Sequence, residues 1–419
     1  MPSTSETYES QGYYFFEGSA GPEFTVPREE ASTLLPLVQQ GLRIYVDGPR
    51  RCGKTTLANN TLEAAEIKTL NLNLDGICTV PKLIESIASQ TEGFLRDYPS
   101  VRKDLTGKQS AKAGVEAGFL DVLKFSLEAK SEDEKKMGAT LDSLLSAVSV
   151  IAKHAGAAVI VDEFQAIKHK DMEHPSEVLG SFARASDADK GKVAWIFLGS
   201  DRYAMHNIFS EPESAFYQRT RHLPVGVIPK NVMIPFLNKR SQRQVESAVG
   251  DEAFKWTEGI PGDLQRLYSA MIVAAGDSKR IMPQHLIAAK ASVLKDIGAS
   301  YAITLQGVAK KDPELITMLN LVARDDIRDC DTLAAACDKT GIGGDVADKR
   351  LNQLLDMGLL HFRHDNQHLE RPEPLLFHYL ASFPGHDPRS GYSTASSALA
   401  KSFRKISKPK SGQARTPVR

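Results

Sequence analysis

The chain has 419 residues, of which 42% are hydrophobic and 25% charged. Those proportions exclude wholesale disorder, a collagen-like repeat and a small disulfide scaffold, and the length suits two or three domains at ~100–200 residues each. Lys and Arg (52) balance Asp and Glu (52), so no global basic field points to nucleic acid or an anionic membrane. Cys52, Cys78, Cys330 and Cys337 are scattered and form no CxxC, which reads as free thiols in a reducing compartment. Residues 1–12 lack a basic start followed by an apolar run, and the most apolar region, 144–161, is broken by Lys153 and His154, which argues against a signal peptide and a membrane span. A cytoplasmic protein with no membrane association is expected.

Residues 1–21 read as a flexible leader. Helical spacing at Leu34, Leu35 and Val38 stops at Gly41, and 42–47 is a short strand running into a Gly-rich turn. A helix over 54–66 precedes a strand over 67–74, where Leu70, Leu72 and Leu74 alternate with polar neighbours. Residues 81–95 are helical; 92–136 are charged and irregular, with one strand pair expected near 115–127. A helix over 141–154 carries the core stripe Leu144, Leu145, Val148 and Ile151, and 157–161 is a buried strand closed by Asp162 and Glu163. Pro175 opens another helix. Further strands fall at 193–198, ending in Gly199 and Ser200, and at 222–227. Strands alternating with helices predict a parallel sheet covered on both faces.

Beyond about Pro235 the pattern becomes helical, at 241–248, 262–275, 283–293 and 315–323. Segments 333–337, 346–357 and 359–369 then read as helix, helix and hairpin, the order of a winged helix. From Pro384 onward the chain is rich in Ser, Gly, Pro, Lys and Arg and reads as a disordered basic tail. The expected fold class is α/β, a parallel sheet sandwiched by helices, followed by a helical segment and a winged-helix domain. The expected divisions are a leader (1–21), an α/β domain (22–235), the helical segment (236–300), the winged helix (301–383) and the tail (384–419).

Gly48, Pro49, Arg50, Arg51, Cys52, Gly53, Lys54 and Thr55 fit GxxxxGK[ST] without exception, a match expected by chance in about one chain in a hundred of this length from average composition. Glycines let successive backbone N–H groups converge on phosphate oxygens, and the following helix points its positive end at the same place. Lys54 would reach the β and γ phosphates, Thr55 would ligate Mg²⁺, and Thr56 continues the cradle. Val159, Ile160 and Val161 deliver Asp162 to a strand end as a second Mg²⁺ ligand, and Glu163 as the base that deprotonates the attacking water. Ser200 ends the next strand, where it suits either a contact to the γ phosphate or an ordinary turn. Arg219 and Arg221 precede the last strand, and spacing does not choose between them as a transition-state arginine or as solvated surface residues.

These residues resemble a known family. Residues 24–30 are similar to the "FxGRExE" entry segment of the archaeal-type ATPases, AAA+ relatives placed with the STAND switch ATPases, although Val26 and Pro27 replace its glycine. Residues 48–55 resemble that family's "GPRRxGKT", Asp162 to Gln165 its "DEFQ", and Gly199–Ser200 its "GS" strand end. Arg219 stands where the family has "YGR", with Gln218 in place of glycine, which favours Arg219 as the finger-like arginine. Residues 259–262 resemble the turn of its helical lid, and 351–360 with 374–377 its winged-helix end. The resemblance spans roughly 24–380 and implies ATP as nucleotide and a P-loop NTPase (AAA+-like) fold, with 22–235 as the P-loop ATPase domain, 236–300 as its helical lid and 301–383 as its winged-helix domain.

The expected function is therefore a Mg²⁺-dependent ATPase switch that couples nucleotide state to a winged helix engaging DNA or a protein partner, with an ATP-dependent homo-oligomer as one outcome. The second predicted winged helix carries Lys349, Arg350, Asn352 and Gln353, diluted by Asp345, Asp348 and Asp356. The wing carries His361, His364 and His368, read as solvated. Arg389, Lys401, Arg404, Lys405, Lys408, Lys410, Arg415 and Arg419 make the tail basic enough to grip phosphates. A DNA-acting ATPase, such as a loader or regulator in replication, transposition or mobile-element biology, is the alternative.

Overall fold

A computed structural model describes residues 25–106, 134–169, 171–189, 191–362 and 368–382. The described residues form two compact units, one up to Phe236 together with Ile260–Gly262, the other Leu237–Gly259 with Asp263 onward.

In the first unit the chain alternates helix and strand: α1 (Glu29–Gln39), β1 (Arg43–Asp47), α2 (Lys54–Ala64), β2 (Lys68–Asn73), α3 (Val80–Asp97), α4 (Pro99–Thr106), α5 (Glu134–Ala155) and β3 (Ala157–Asp162). A short 3₁₀ turn (Phe164–Lys168), α6 (Pro175–Ala188), β4 (Trp195–Gly199), α7 (Arg202–Ser210) and β5 (Arg221–Pro224) complete it. The five strands form one parallel sheet in the order β2-β3-β4-β1-β5, as the alternation predicts. β-branched and aromatic residues in β1, β3 and β4 are buried on both faces. On one face Ile44, Val46, Ile160, Ile196 and Leu198 pack with Leu34 and Val38 of α1 and Leu57 and Leu62 of α2. On the other, Tyr45, Val159, Val161, Trp195 and Phe197 pack with residues of α3, α5 and α6. The predicted stripe Leu144, Leu145, Val148 and Ile151 is fully buried there.

The stretch expected to be irregular is helical through 106, because Thr91, Phe94, Leu95, Val101 and Leu105 continue one buried side. The strand pair expected near 115–127 lies outside the described residues. The expected helix at 241–248 is also wrong. α8 (Lys230–Ser241) runs through Pro235, and the chain then turns at Gln242 (φ 52°) into the two-residue strand β6 (Gln244–Val245) before α9 (Ser247–Trp256). A non-glycine residue in the left-handed region ends α8, so the usual glycine stop signal is missing.

In the second unit, α10 (Pro261–Ala275) and β7 (Arg280–Ile281) lead to α11 (Pro283–Lys311), far longer than the 283–293 expected. Polar residues near 295 hide a stripe that continues through Leu294, Tyr301, Leu305 and Val308. Gly298 lies on it because a Cβ there would come within 3.0 Å of the Tyr379 ring. α12 (Pro313–Arg324), α13 (Cys330–Lys339), α14 (Gly344–Asp356), the antiparallel hairpin β8 (His361–Phe362) with β9 (Leu369–Glu370), and α15 (Pro374–Ser382) follow, in the helix–helix–hairpin order of a winged helix. α12 packs on α11, α13 and α15. Among the described residues no helix is long and apolar enough to cross a membrane.

Phe182, fully buried and edge-on to Phe164 at 5.3 Å, tests the first core. Phe182→Ala is expected to cost about 3–5 kcal/mol, read from urea denaturation of the transition that carries the sheet.

Candidate functional site

Parallel register decides what meets at the C-terminal edge of the sheet. Asp47 of β1 lies opposite Gly199 of β4, and Val161 of β3 opposite Phe197. The turn after β1, the acids closing β3 and the serine after β4 therefore converge on one edge, where open α/β sheets bind ligands.

The turn after β1 is built around two glycines. A Cβ at Gly48 would stand 2.2 Å from the Val225 carbonyl oxygen, so only glycine lets the loop cross the end of β5. Gly53, at φ 90°, makes the left-handed step that starts α2. The Cys52 N–H donates to Pro49 O at 3.3 Å, closing the turn, and the Cys52 side chain is buried beneath it. Arg50 and Arg51 are exposed. Arg51, at φ 60°, accepts a 3.0 Å hydrogen bond from the Gly262 N–H.

The first turn of α2 is Lys54, Thr55, Thr56, with no acidic residue. Its leading N–H groups have no intrahelical partner, so the positive end of the helix is left for an anion. The Lys54 ammonium is buried, and donates to Gly48 O and Pro49 O at 3.0 Å each. Thr56 sits half-buried behind it.

Thr55 Oγ1 donates to Asp162 Oδ2 at 2.7 Å, across 107 positions of sequence. Asp162 Oδ1 accepts from the Glu163 N–H at 2.9 Å. Burial pushes the Asp162 carboxyl above the ordinary aspartate range; the Thr55 hydrogen bond opposes this, and the Glu163 charge adds to it. A hydroxyl beside a carboxylate that is costly to ionise is a donor set that a small divalent cation fits, because the cation supplies the missing positive charge.

Glu163 sits in the left-handed region (φ 53°, ψ 42°). The next residue, Phe164, is fully buried among Phe182, Phe197, Phe209 and Phe216. That anchor holds a backbone step unfavourable for a non-glycine residue and turns the carboxylate toward the end of β4. Ser200, buried there, donates from Oγ to Glu163 Oε2 at 2.8 Å.

Arg219 is placed elsewhere. Its guanidinium pairs with Asp187 at 3.0 Å, and Asp187 also meets Arg43 at 2.5 Å. Arg43 opens β1, whereas the phosphate loop follows its last residue, a strand length of about 13 Å away. Arg221 opens β5 opposite Ile44, toward the same end. Neither arginine reaches the phosphate loop of its own chain, so a transition-state role within one chain is withdrawn for both.

Two residues with no role assigned from sequence belong to the site. Arg28, in the entry segment, donates to Cys52 O at 2.6 Å and Gly226 O at 2.7 Å, tying the phosphate loop to the segment after β5. It also pairs with Glu30 at 2.7 Å. Burial works against the Glu30 carboxylate, but the hydrogen bond and charge of Arg28 outweigh it and hold that group below its ordinary range. Gln165 donates to Glu163 and Ser200. Both lie in family-like motifs, the only sequence signal that marked them.

No protein-family model matches the chain, and no curated protein matches it. Its structure is similar to that of a Walker-type ATPase of Pyrococcus abyssi, at 19% identity and a TM-score of 0.64 over 87% of this chain and 98% of that one. It is also similar to the ORC2 protein of Aeropyrum pernix in its ADPNP–ADP complexes, at 16% identity and 0.52 over 93% and 98%. The likeness is one of fold, an AAA+-like P-loop architecture.

Gly48→Ala is expected to weaken nucleotide binding at least ~10-fold, since the added methyl meets backbone that cannot yield, checked by titration with a fluorescent ATP analogue. Asp162 gives a prediction of opposite sign for stability. Its folded-state pKa is raised, so its contribution is present below the ordinary aspartate pKa and lost as pH rises through the raised value. Asp162→Asn should therefore raise the Tm of the nucleotide-free protein at pH 7, while removing the extra stabilisation by MgATP; thermal melts with and without MgATP read both.

Proposed function

We propose that the protein is a Mg²⁺-dependent ATPase acting as a molecular switch, its nucleotide state coupled to the winged-helix module. The observation that supports it most is the Thr55–Asp162 hydrogen bond with Glu163 and Ser200 beside it, which assembles phosphate loop, cation ligands and base from three strand ends. The backbone of Gly48 to Thr56 and the Lys54 ammonium bind the phosphates. Mg²⁺ would be held by Thr55 and Asp162, where it supplies charge neutralisation to the β and γ phosphates. Glu163 takes the proton of the water that attacks the γ phosphorus, and ADP and inorganic phosphate are the products. Ser200 holds the glutamate. Arg219, remote from its own loop, acts on the nucleotide of a neighbouring copy in an ATP-dependent homo-oligomer.

For the partner of the module, the outward face of α14 is informative. Asp345, Asp348 and Asp356 are exposed beside Lys349. Arg350, expected on that face, is turned inward to Asp312 at 2.9 Å and Glu314 at 2.6 Å. A face with three carboxylates and one ammonium repels a phosphate backbone and suits a protein partner. DNA is the second reading, carried by the basic residues of 384–419, and implies ATP-dependent binding that weakens steeply with salt. A soluble, cytoplasmic setting without membrane association completes the proposal.

Lys54→Ala is expected to abolish ATP binding. Glu163→Gln should bind ATP normally but turn over at least ~100-fold more slowly, the usual weight of a general base; phosphate release under saturating MgATP is the measurement. Unchanged turnover in Glu163→Gln would refute the hydrolytic assignment.

A further inference from the structure

We propose that Gln165 is a positioning residue for hydrolysis, holding the Glu163 carboxylate so that a single oxygen, Oε1, faces the attacking water. The inference rests on the hydrolytic reading of Glu163.

The geometry is a closed triangle. The Gln165 side-chain amide donates from Nε2 to Glu163 Oε2 and, at 3.2 Å, to Ser200 Oγ. The Ser200 hydroxyl donates in turn to the same Oε2 at 2.8 Å. Both donors fall on one carboxylate oxygen, and among the described residues no hydrogen bond or ion pair reaches Oε1. Chemistry fixes the orientation of the amide. Turned over, it would set its carbonyl against a carboxylate, acceptor against acceptor.

The rest of the triangle is rigid. Gln165 lies in the 3₁₀ turn directly after Phe164, which is locked in the aromatic core. The turn is fastened by the Ala166 N–H donating to Glu163 O at 2.9 Å. Gly199 makes room for it: a Cβ there would stand 2.6 Å from Gln165 Oε1 and 2.3 Å from the Met205 sulfur. Gln165 Oε1 is itself buried without a hydrogen-bond partner, a cost kept at a position whose amide N–H does two jobs. A residue needed only for packing would be met more cheaply by leucine or methionine.

Since the proposed role acts through Glu163, its effect must vanish when that carboxylate is gone. Turnover and the Kd of a fluorescent ATP analogue are measured for wild type, Gln165→Leu, Glu163→Gln and the double variant, in the full chain. Gln165→Leu is expected to lower kcat about 10-fold, the low end for one hydrogen bond to a charged group because Ser200 remains, with Kd changed less than ~2-fold. The double variant should match Glu163→Gln. Gln165→Glu, which puts an acceptor where the donor is needed, should lose more than Gln165→Leu, and serves if the leucine variant misfolds. Wild-type kcat in Gln165→Leu, a raised kcat, or an equal further loss in the Glu163→Gln background would overturn the proposal. Failure of the underlying reading shows separately, as a Glu163→Gln protein that turns over like wild type.

Discussion

The hydrogen bond between Thr55 and Asp162 is the contact on which the site depends. It joins the first turn of α2, the helix that follows β1, to the end of β3, and β4 lies between β1 and β3 in the sheet. Without it, the phosphate loop is an anion cradle and the acids are a strand terminus. With it, a hydroxyl and two carboxylates share one small volume, where the Lys54 charge opposes in part the upward shift that burial imposes on the Asp162 carboxyl. The cost is visible in Asp162, whose burial favours the protonated form. A bound cation would offset that cost.

Two of the strained backbone positions lie on the same edge. Arg51 and Glu163 both occupy the left-handed region without being glycine, at about 1–3 kcal/mol each. Each is followed or flanked by a buried side chain that holds it: Cys52 beneath the loop and Phe164 in the aromatic core. The aromatic cluster therefore does more than fill space. It converts burial of Phe164 into a fixed direction for the carboxylate one residue earlier, and Ser200 and Gln165 complete the restraint.

The second unit shows how charge on paper differs from charge on a surface. Arg350 is absorbed by Asp312 and Glu314. His361, read as solvated, is buried, and Arg371 is buried over the Phe377 ring at 5.4 Å. The wing residues 363–367, with His364, lie outside the described residues. What remains outward on α14 is net acidic, with Asp345, Asp348 and Asp356 exposed beside Lys349.

The residues of the phosphate loop, the apolar strands and the acidic pair declare themselves in sequence, because each answers a local demand. Glycine is needed where φ is positive or backbone passes close, apolar alternation where a strand is covered, and an acid where a strand ends over a phosphate. The same local logic placed all five strands. It failed at 230–256 and 283–311, where the end of one helix rested on a non-glycine turn and polar residues near 295 masked the buried stripe of another. Only the folded chain decided that Arg219 and Arg221 stand at the far end of the sheet, that Arg350 points inward and that Gln165 binds Glu163. Those facts depend on cross-strand register and on partners remote in sequence, which no local spacing encodes.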